Sequence, residues 1–179
     1  ILFTGVGRRI ELLQAFRNAA VVLNKDLTIF GADMTGTAPA LSYCDYIRKV
    51  VAMKDAGYID NLIQICVNDH IDLLIPTIDT DLLVLSENKK RFEAIGTQVM
   101  ISTPEMIRIC RDKNNTSQFF VNCGLQAPMP VNDWREYKSG YPAFIKPKDG
   151  SSSINAFKVE NAEELEIYAG QIEDYIVQP

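Results

Sequence analysis

The chain has 179 residues, of which 47% are hydrophobic and 23% are charged; these ordinary values exclude a disordered or fibrous protein. Its formal net charge of −5 would repel a polyanion, so a nucleic-acid partner is not expected. An anionic ligand would instead need a local set of lysines, arginines and backbone N–H groups.

The cysteines and the single histidine bear on metal binding and on compartment. The four cysteines lie far apart and His70 is the only histidine, which argues against a zinc site. Cys66 and Cys110 lie in apolar helical patterns and are expected to be buried free thiols, which favours a cytoplasmic protein.

The ends of the chain and its apolar runs bear on targeting. No apolar run is long enough to span a bilayer and no export segment is visible, so no membrane association is expected. The chain begins without Met and ends directly after the apolar run 175–177, so we expect it to be part of a longer protein.

The first hundred residues alternate β-rich runs with amphipathic helical stretches, the pattern of a parallel sheet with crossover helices. Apolar residues spaced by three and four, such as Ile59, Leu62 and Cys66, mark the helices. The predicted strands are 1–4, 27–32, 47–52, 72–75 and 98–101, and the predicted helices are 9–23, 58–70 and 81–95. Residues 1–102 therefore predict a Rossmann-like α/β domain with a doubly wound, five-stranded parallel sheet.

Residues 103–179 predict a second unit of the α+β class. Its predicted elements are a helix from Pro104 towards Asn122, antiparallel strands 143–146 and 155–159, a helix capped by Asn161, and a strand at 174–178. We expect this unit to be incomplete, because the sequence ends after its third predicted strand.

The first candidate site is the Gly-x-Gly turn between the first strand and the first helix. Gly5 and Gly7 lack side chains, so backbone N–H groups could approach a ligand at the positive end of the helix dipole, beside Arg8. A dinucleotide fingerprint would have a third glycine where Ile10 stands, although Asp33 ends the second strand, where it could bind a ribose. A tight turn without a ligand and an NAD-type site both stay open.

The second candidate site follows the fourth strand in the stretch PTIDTD. Polar groups at the carboxyl end of a parallel strand lie where open α/β sheets bind ligands, so Thr77, Asp79 and Asp81 could orient an amine or a hydroxyl. Helix capping by Thr80 or Asp79 is the alternative.

The third candidate site is the hairpin FIKPKDGSSSINAFKV. We expect Lys146 on the side of its strand opposite Phe144, with its ammonium over a cleft that the loop 149–153 covers. Backbone N–H and hydroxyl groups of that loop would be donors to phosphate oxygens. The loop lacks the Walker order of residues and joins two strands. A serine-rich hairpin with an exposed lysine is the alternative.

The order of these features resembles the ATP-grasp superfamily, and the nearest likeness is to the large chain of carbamoyl phosphate synthase. The resemblance covers ILFTGVGRR and IDLLIPTIDTDL in the first domain, then RDKNNTSQFF, AFIKPKDGSSS and DYIVQP. It implies a pre-ATP-grasp domain at residues 1–102 and the first part of an ATP-grasp domain at 103–179. Serines stand where the family commonly has glycines, and Pro179 stands where a carboxylate is common.

The resemblance implies an ATP-dependent carboxylate–amine ligase, which uses ATP and magnesium to form an acylphosphate. The residues that it implies for ATP are Lys113 and Lys146 at the phosphates, Gly150, Ser151, Ser152 and Ser153 in the closing loop, and Ile176, Val177 and Gln178 before the adenine hinge. The residues assigned to the acceptor substrate are Gly5, Gly7, Arg8, Thr77, Asp79 and Asp81.

The magnesium ligands of the family are expected beyond Pro179, so these residues alone are not expected to catalyse phosphoryl transfer. The alternatives are an NAD(P)-dependent oxidoreductase, resting on Gly5, Gly7 and Asp33, and a non-catalytic nucleotide-binding module. The expected partners are small-molecule carboxylate and amine-type substrates. A homo-oligomer stays open, with helix 58–70 as a surface that could pair subunits.

Overall fold

The computed structural model describes residues 1–150 and 152–179. The chain divides into two compact units, Ile1–Pro104 and Glu105–Pro179. The boundary expected from the sequence lies two residues earlier, after residue 102. Among the described residues, none of the helices has the length and apolar character needed to cross a membrane.

The first unit contains a five-stranded sheet with the strand order β3-β2-β1-β4-β5. Its strands are β1 (Leu2–Thr4), β2 (Phe30–Asp33), β3 (Tyr46–Lys49), β4 (Leu73–Pro76) and β5 (Gln98–Val99). Every neighbouring pair is parallel. This order is that of a doubly wound sheet, and it confirms the predicted Rossmann-like α/β class.

Helices cover both faces of this sheet. They are α1 (Ile10–Val22), α2 (Tyr58–Asn68), α3 (Asp79–Glu87), α4 (Lys89–Glu93) and a short 3-10 helix, Pro39–Tyr43. Successive residues of β1 point to opposite faces, so Leu2 packs in the core beneath α2, α3 and α4, and Phe3 packs in the core beneath α1. Burial on both faces explains why the central strands β1, β2 and β4 are mostly apolar, whereas the edge strand β3 is largely exposed.

One predicted helix of the first unit is two helices. The stretch 81–95 is interrupted at Asn88, whose side-chain amide donates to the Val84 carbonyl at 2.9 Å. A side-chain amide that bonds to the preceding turn competes with the backbone ladder, which is why asparagine often stands at such breaks.

The second unit contains a three-stranded antiparallel sheet with the order β7-β6-β8. Its strands are β6 (Ala143–Pro147), β7 (Phe157–Val159) and β8 (Tyr175–Gln178), and its helices are α5 (Pro104–Arg111), α6 (Lys113–Asn122), α7 (Ala162–Ala169) and a 3-10 turn, Trp134–Glu136. Asn161 caps α7 as predicted, because its side chain accepts from the Glu164 N–H at 2.9 Å.

The single helix predicted from Pro104 towards Asn122 is also two helices. Asp112 has an extended backbone (φ −99°, ψ 118°), and its carboxylate accepts from the N–H groups of Asn114 and Asn115 at 2.9 and 3.1 Å. These bonds make Asp112 the N-cap of α6. Lys113 is therefore the first residue of a helix.

The cysteines agree only partly with the sequence analysis. Cys66 is buried in the first unit, and burial raises the pKa of its thiol to about 11. Cys110 is exposed, contrary to expectation. It lies in the last turn of α5, whose buried residue is Ile107.

Candidate functional site

The second sheet has one apolar face and one mixed face, which carries both polar and apolar side chains. Ala143 and Ile145 are fully buried in the core beneath α7, whereas Phe144 and Lys146 point to the other side. The expectation that Lys146 lies opposite Phe144 is therefore wrong. Residues two apart on a strand share a face, so both belong to the mixed face.

Two residues of β8 complete this mixed face. Lys146 pairs with Ile176, and Phe144 pairs with Gln178. The Gln178 side-chain amide donates to the Pro128 carbonyl at 2.8 Å. We call Phe144, Lys146, Ile176 and Gln178 the lysine face.

Helix α6 lines the lysine face, because the Gln178 amide lies 3.5 Å from the Ser117 hydroxyl. Val177 points the other way and packs with Ile145. Of the three β8 residues assigned to the nucleotide, Ile176 and Gln178 thus lie on the same face as Lys146, and Val177 lies in the core.

Lys113 enters the same region from the first turn of α6. Its ammonium donates to the carbonyl oxygens of Lys148 and Gly150, at 3.2 and 3.1 Å. Its backbone N–H also approaches the Lys148 carbonyl, at 3.4 Å. The start of α6 is therefore bound to the segment that leads out of β6.

Lys146 is a partly buried cation without a counter-charge. Burial, and then the positive charge of Lys113, lower the pKa of Lys146 below its usual value. Within residues 1–150 and 152–179, its ammonium has no hydrogen-bond or ion-pair partner. Two lysines close enough to repel each other, one of them unpaired, favour an anion at this position.

The serine loop follows directly. Ser152 and Ser153 have φ values of 60° and 57°, the left-handed conformation that glycine adopts at least cost. Both are exposed, as is Gly150. Ser151, which was also assigned to the nucleotide, lies outside the described residues.

The glycine turn of the first unit lies at the carboxyl end of β1. Gly5 (φ 59°) must be glycine, because an added Cβ would lie 2.5 Å from the Ile78 side chain. Within the described part of the chain, the backbone N–H groups of Val6, Gly7 and Arg8 have no acceptor. Such N–H groups at the start of a helix suit an anionic or polar ligand.

The residues after β4 lie at the same edge of the sheet. The Thr77 hydroxyl lies 2.7 Å from the Gly5 carbonyl and 2.9 Å from the Thr4 carbonyl, so it braces the glycine turn. Asp79 is exposed at the start of α3. These positions stay predictions of an acceptor site.

Asp81 requires a correction, because its exposed fraction is 0% and it cannot face a ligand here. Its Oδ2 accepts from the hydroxyls of Thr4 and Tyr58, at 2.8 and 3.1 Å. Burial raises the pKa of this carboxyl above its usual value. Through these two hydrogen bonds, Asp81 links β1 and α2 within the core.

Sequence reasoning missed the bonds that surround Lys113. Arg111 pairs with Asp149, and Lys148 pairs with Asp112. The short runs RDK and KDG each place a basic residue directly before an acidic one, and no helical or strand periodicity predicts that the two runs meet.

Two further observations concern other ligands. Asp33 Oδ1 accepts from the Thr35 N–H and the Gly36 N–H, at 2.8 and 3.1 Å, so one oxygen of its carboxylate already caps its own turn. Among residues 1–150 and 152–179, no group of three or more His, Cys, Asp or Glu side chains is arranged to hold a metal ion.

Comparison with known folds identifies the architecture. An L-amino acid ligase from Bacillus licheniformis matches with a TM-score of 0.65 and 20% identity, over 99% of this chain and 43% of that one. An N5-carboxyaminoimidazole synthetase from Staphylococcus aureus matches with a TM-score of 0.68 and 13% identity, over 99% of this chain and 45% of that one. The biotin carboxylase domain of Hydrogenobacter thermophilus 2-oxoglutarate carboxylase matches with a TM-score of 0.67 and 14% identity, over 99% of this chain and 43% of that one.

The chain spans less than half the length of each of these proteins. At these identities the likeness shows the fold alone. Only together with the family match to residues 1–100 does it confirm the resemblance to the ATP-grasp superfamily. The nearer resemblance to the large chain of carbamoyl phosphate synthase stays a prediction.

A comparison with curated proteins found no match. The family described as PylC-like, N-terminal domain, matches residues 1–100, which is more than half of the chain and coincides with the doubly wound sheet. The chain therefore belongs to the PylC-like N-terminal domain family.

Proposed function

We propose that this chain is the N-terminal part of an ATP-dependent carboxylate–amine ligase, and that its second unit supplies the phosphate side of the nucleotide site. The observation that carries the proposal is the Lys146 ammonium, partly buried beside Lys113 and without a carboxylate among the described residues. A buried cation of this kind is stabilised when an anion supplies the missing charge. Because the chain as a whole has a net charge of −5, the positive charge of Lys113 and Lys146 is a local feature of this site.

The nature of the anion is proposed from the fold. The Hydrogenobacter thermophilus structure is a complex with MgADP, ADP and bicarbonate, and the Staphylococcus aureus synthetase also has a complex with ADP. In this proposal the Lys113 and Lys146 ammoniums hold the phosphates, and Ile176 and Gln178 lie towards the adenine. ATP would activate a carboxylate as an acylphosphate for attack by an amine.

The remaining parts of the proposal concern the first unit and the rest of the protein. The Gly5–Gly7 turn, braced by Thr77, would hold part of the acceptor through the N–H groups of Val6, Gly7 and Arg8. Magnesium ligands would lie beyond Pro179. A carbamoyl-phosphate-synthase-like reaction and a cytoplasmic location are the finer forms of this proposal.

The test is nucleotide binding by the full-length protein and two lysine variants. Lys146→Ala should weaken MgADP binding by roughly tenfold or more, because a hydrogen bond to a charged group contributes about 1.5–3 kcal/mol. Lys158→Ala is the matched control, since Lys158 lies in the same sheet but pairs with Glu160 at 2.7 Å. Equal affinity in all three proteins would refute the proposal.

The same titration separates the enzyme classes. The full-length protein should bind MgADP and show no saturable binding of NADH. Tight NADH binding that Gly5→Ala abolishes would instead support an oxidoreductase.

A further inference from the structure

Two three-residue runs of the second unit lie against each other, residues 111–113 and residues 148–150. The Arg111 guanidinium donates to Asp149 Oδ1 at 3.1 Å. The Lys148 ammonium lies 3.4 Å from Asp112 Oδ2. The acidic residue of each run is therefore paired with a basic residue of the other.

The carbonyls of the second run hold Lys113 between these ion pairs. The Lys113 ammonium donates to the carbonyls of Lys148 and Gly150, the residues on either side of Asp149. Carbonyl dipoles stabilise an ammonium without neutralising it. The two carbonyl contacts therefore fix the position of the Lys113 ammonium beside the segment that leads out of β6.

We infer that Arg111 and Asp149, together with the Asp112–Lys148 pair, are positioning residues for Lys113. The two ion pairs hold the segment 148–150 against the start of α6, its carbonyls orient the Lys113 ammonium, and the oriented ammonium adds to the field around Lys146. The consequence for nucleotide affinity rests on the proposed function, whereas the arrangement of Lys113 is independent of that function.

The physical advantage is preorganisation. A lysine side chain loses rotamer freedom when it binds a phosphate, and that loss opposes binding unless the side chain is already held. The pairs are partly exposed, with Asp149 at 65% and Lys148 at 32%, so each contributes modestly and is weakened by salt.

The first test uses the nucleotide-free full-length protein and hydrogen exchange. Asp149→Asn should speed exchange in peptides that cover residues 143–150, because the Arg111 contact is lost. Glu160→Gln is the matched control, since it removes an exposed ion pair of the same unit that involves none of residues 148–150. Unchanged exchange in Asp149→Asn would overturn the inference.

The second test is a double-mutant cycle with MgADP. Asp149→Asn and Arg111→Gln should each raise the Kd about threefold, as expected for an exposed ion pair. The double variant should be no weaker than either single variant, because all three lack the same contact. The charge swap Arg111→Asp with Asp149→Arg should recover affinity, whereas a general structural defect would not be rescued.

The outcomes separate the two proposals. The positioning role would be contradicted if the two single losses of MgADP affinity added in the double variant. It would also be contradicted if the charge-swap variant bound MgADP more weakly than both single variants. If the unaltered protein does not bind MgADP, the proposed function fails. The exchange experiment then decides the arrangement of Lys113 alone: faster exchange in Asp149→Asn supports it, and equal exchange rejects it.

Discussion

Asp81 shows at the scale of one residue how burial changes the role of a carboxylate. Its type and its position after β4 suggested a ligand-facing group, but the fold encloses it completely. Whether a polar residue at a strand end points outward depends on the elements that later cover it. Here Tyr58, from a distant helix, supplies a donor and closes the space.

Asp81 should make stability depend on pH in a definite direction. Its pKa is raised in the folded state, so the folded protein holds the proton more tightly than the unfolded chain. The contribution of Asp81 to the free energy of unfolding should therefore fall as pH rises from the unfolded pKa, about 3.9, through the folded pKa.

Urea unfolding at a series of pH values checks this for the protein and for Asp81→Asn. The difference in unfolding free energy between the two should shift in favour of Asp81→Asn as pH rises from about 4. Asp26→Asn, at an exposed position of the same unit, controls for the loss of one charge. A difference that is constant with pH would contradict the argument.

The assignment of Lys113 and Lys146 to the nucleotide rests on the family resemblance and stays a prediction. Their contacts within the fold could not be predicted from the sequence. The face of β6 that carries Lys146 follows from strand period, once Ala143 and Ile145 are known to be buried. Which alternate set is buried depends on α7 and β8, which are distant in sequence.

At the scale of elements, the sequence predicted the helices and strands well and their interruptions poorly. The breaks at Asn88 and Asp112 come from side chains that bond to nearby backbone groups. Helical periodicity carries no signal for such side-chain bonds, so a pattern-based prediction merges the helices. The cap at Asp112 matters for the site, because it makes Lys113 the first residue of α6.

The serine loop offers a prediction about an element. Ser153 has a φ of 57°, so replacing it by glycine should relieve backbone strain, whereas alanine keeps that strain. Ser153→Gly should therefore be more stable than Ser153→Ala by about 1 kcal/mol. Thermal unfolding of the two variants measures the difference, and equal stability would show that the loop does not hold this conformation in solution.

At the scale of the whole molecule, the doubly wound sheet could be predicted because both of its faces are buried. Burial on two sides favours apolar residues on both faces of the central strands, and such runs alternate here with amphipathic helices. The activity could be approached only through resemblance, since one fold supports many reactions. The family match covers the first unit, whereas the lysine face lies in the second.

The first unit has cores on both faces of its sheet, so it should fold by itself. Residues 1–104 expressed alone should give a far-ultraviolet circular dichroism spectrum with helix and strand, and should unfold cooperatively in urea. Gly5→Ala in that piece should destabilise it, because the added Cβ meets Ile78. A gradual loss of signal in the unaltered piece would show that its core needs the rest of the chain.

The most direct measurement of the central claim is a crystal structure of the full-length protein with MgADP. Our account predicts phosphate oxygens within hydrogen-bond distance, about 3.2 Å or less, of both the Lys113 and the Lys146 ammonium nitrogens. Phosphates bound at the Gly5–Gly7 turn of the first unit, with neither lysine in contact, would contradict it.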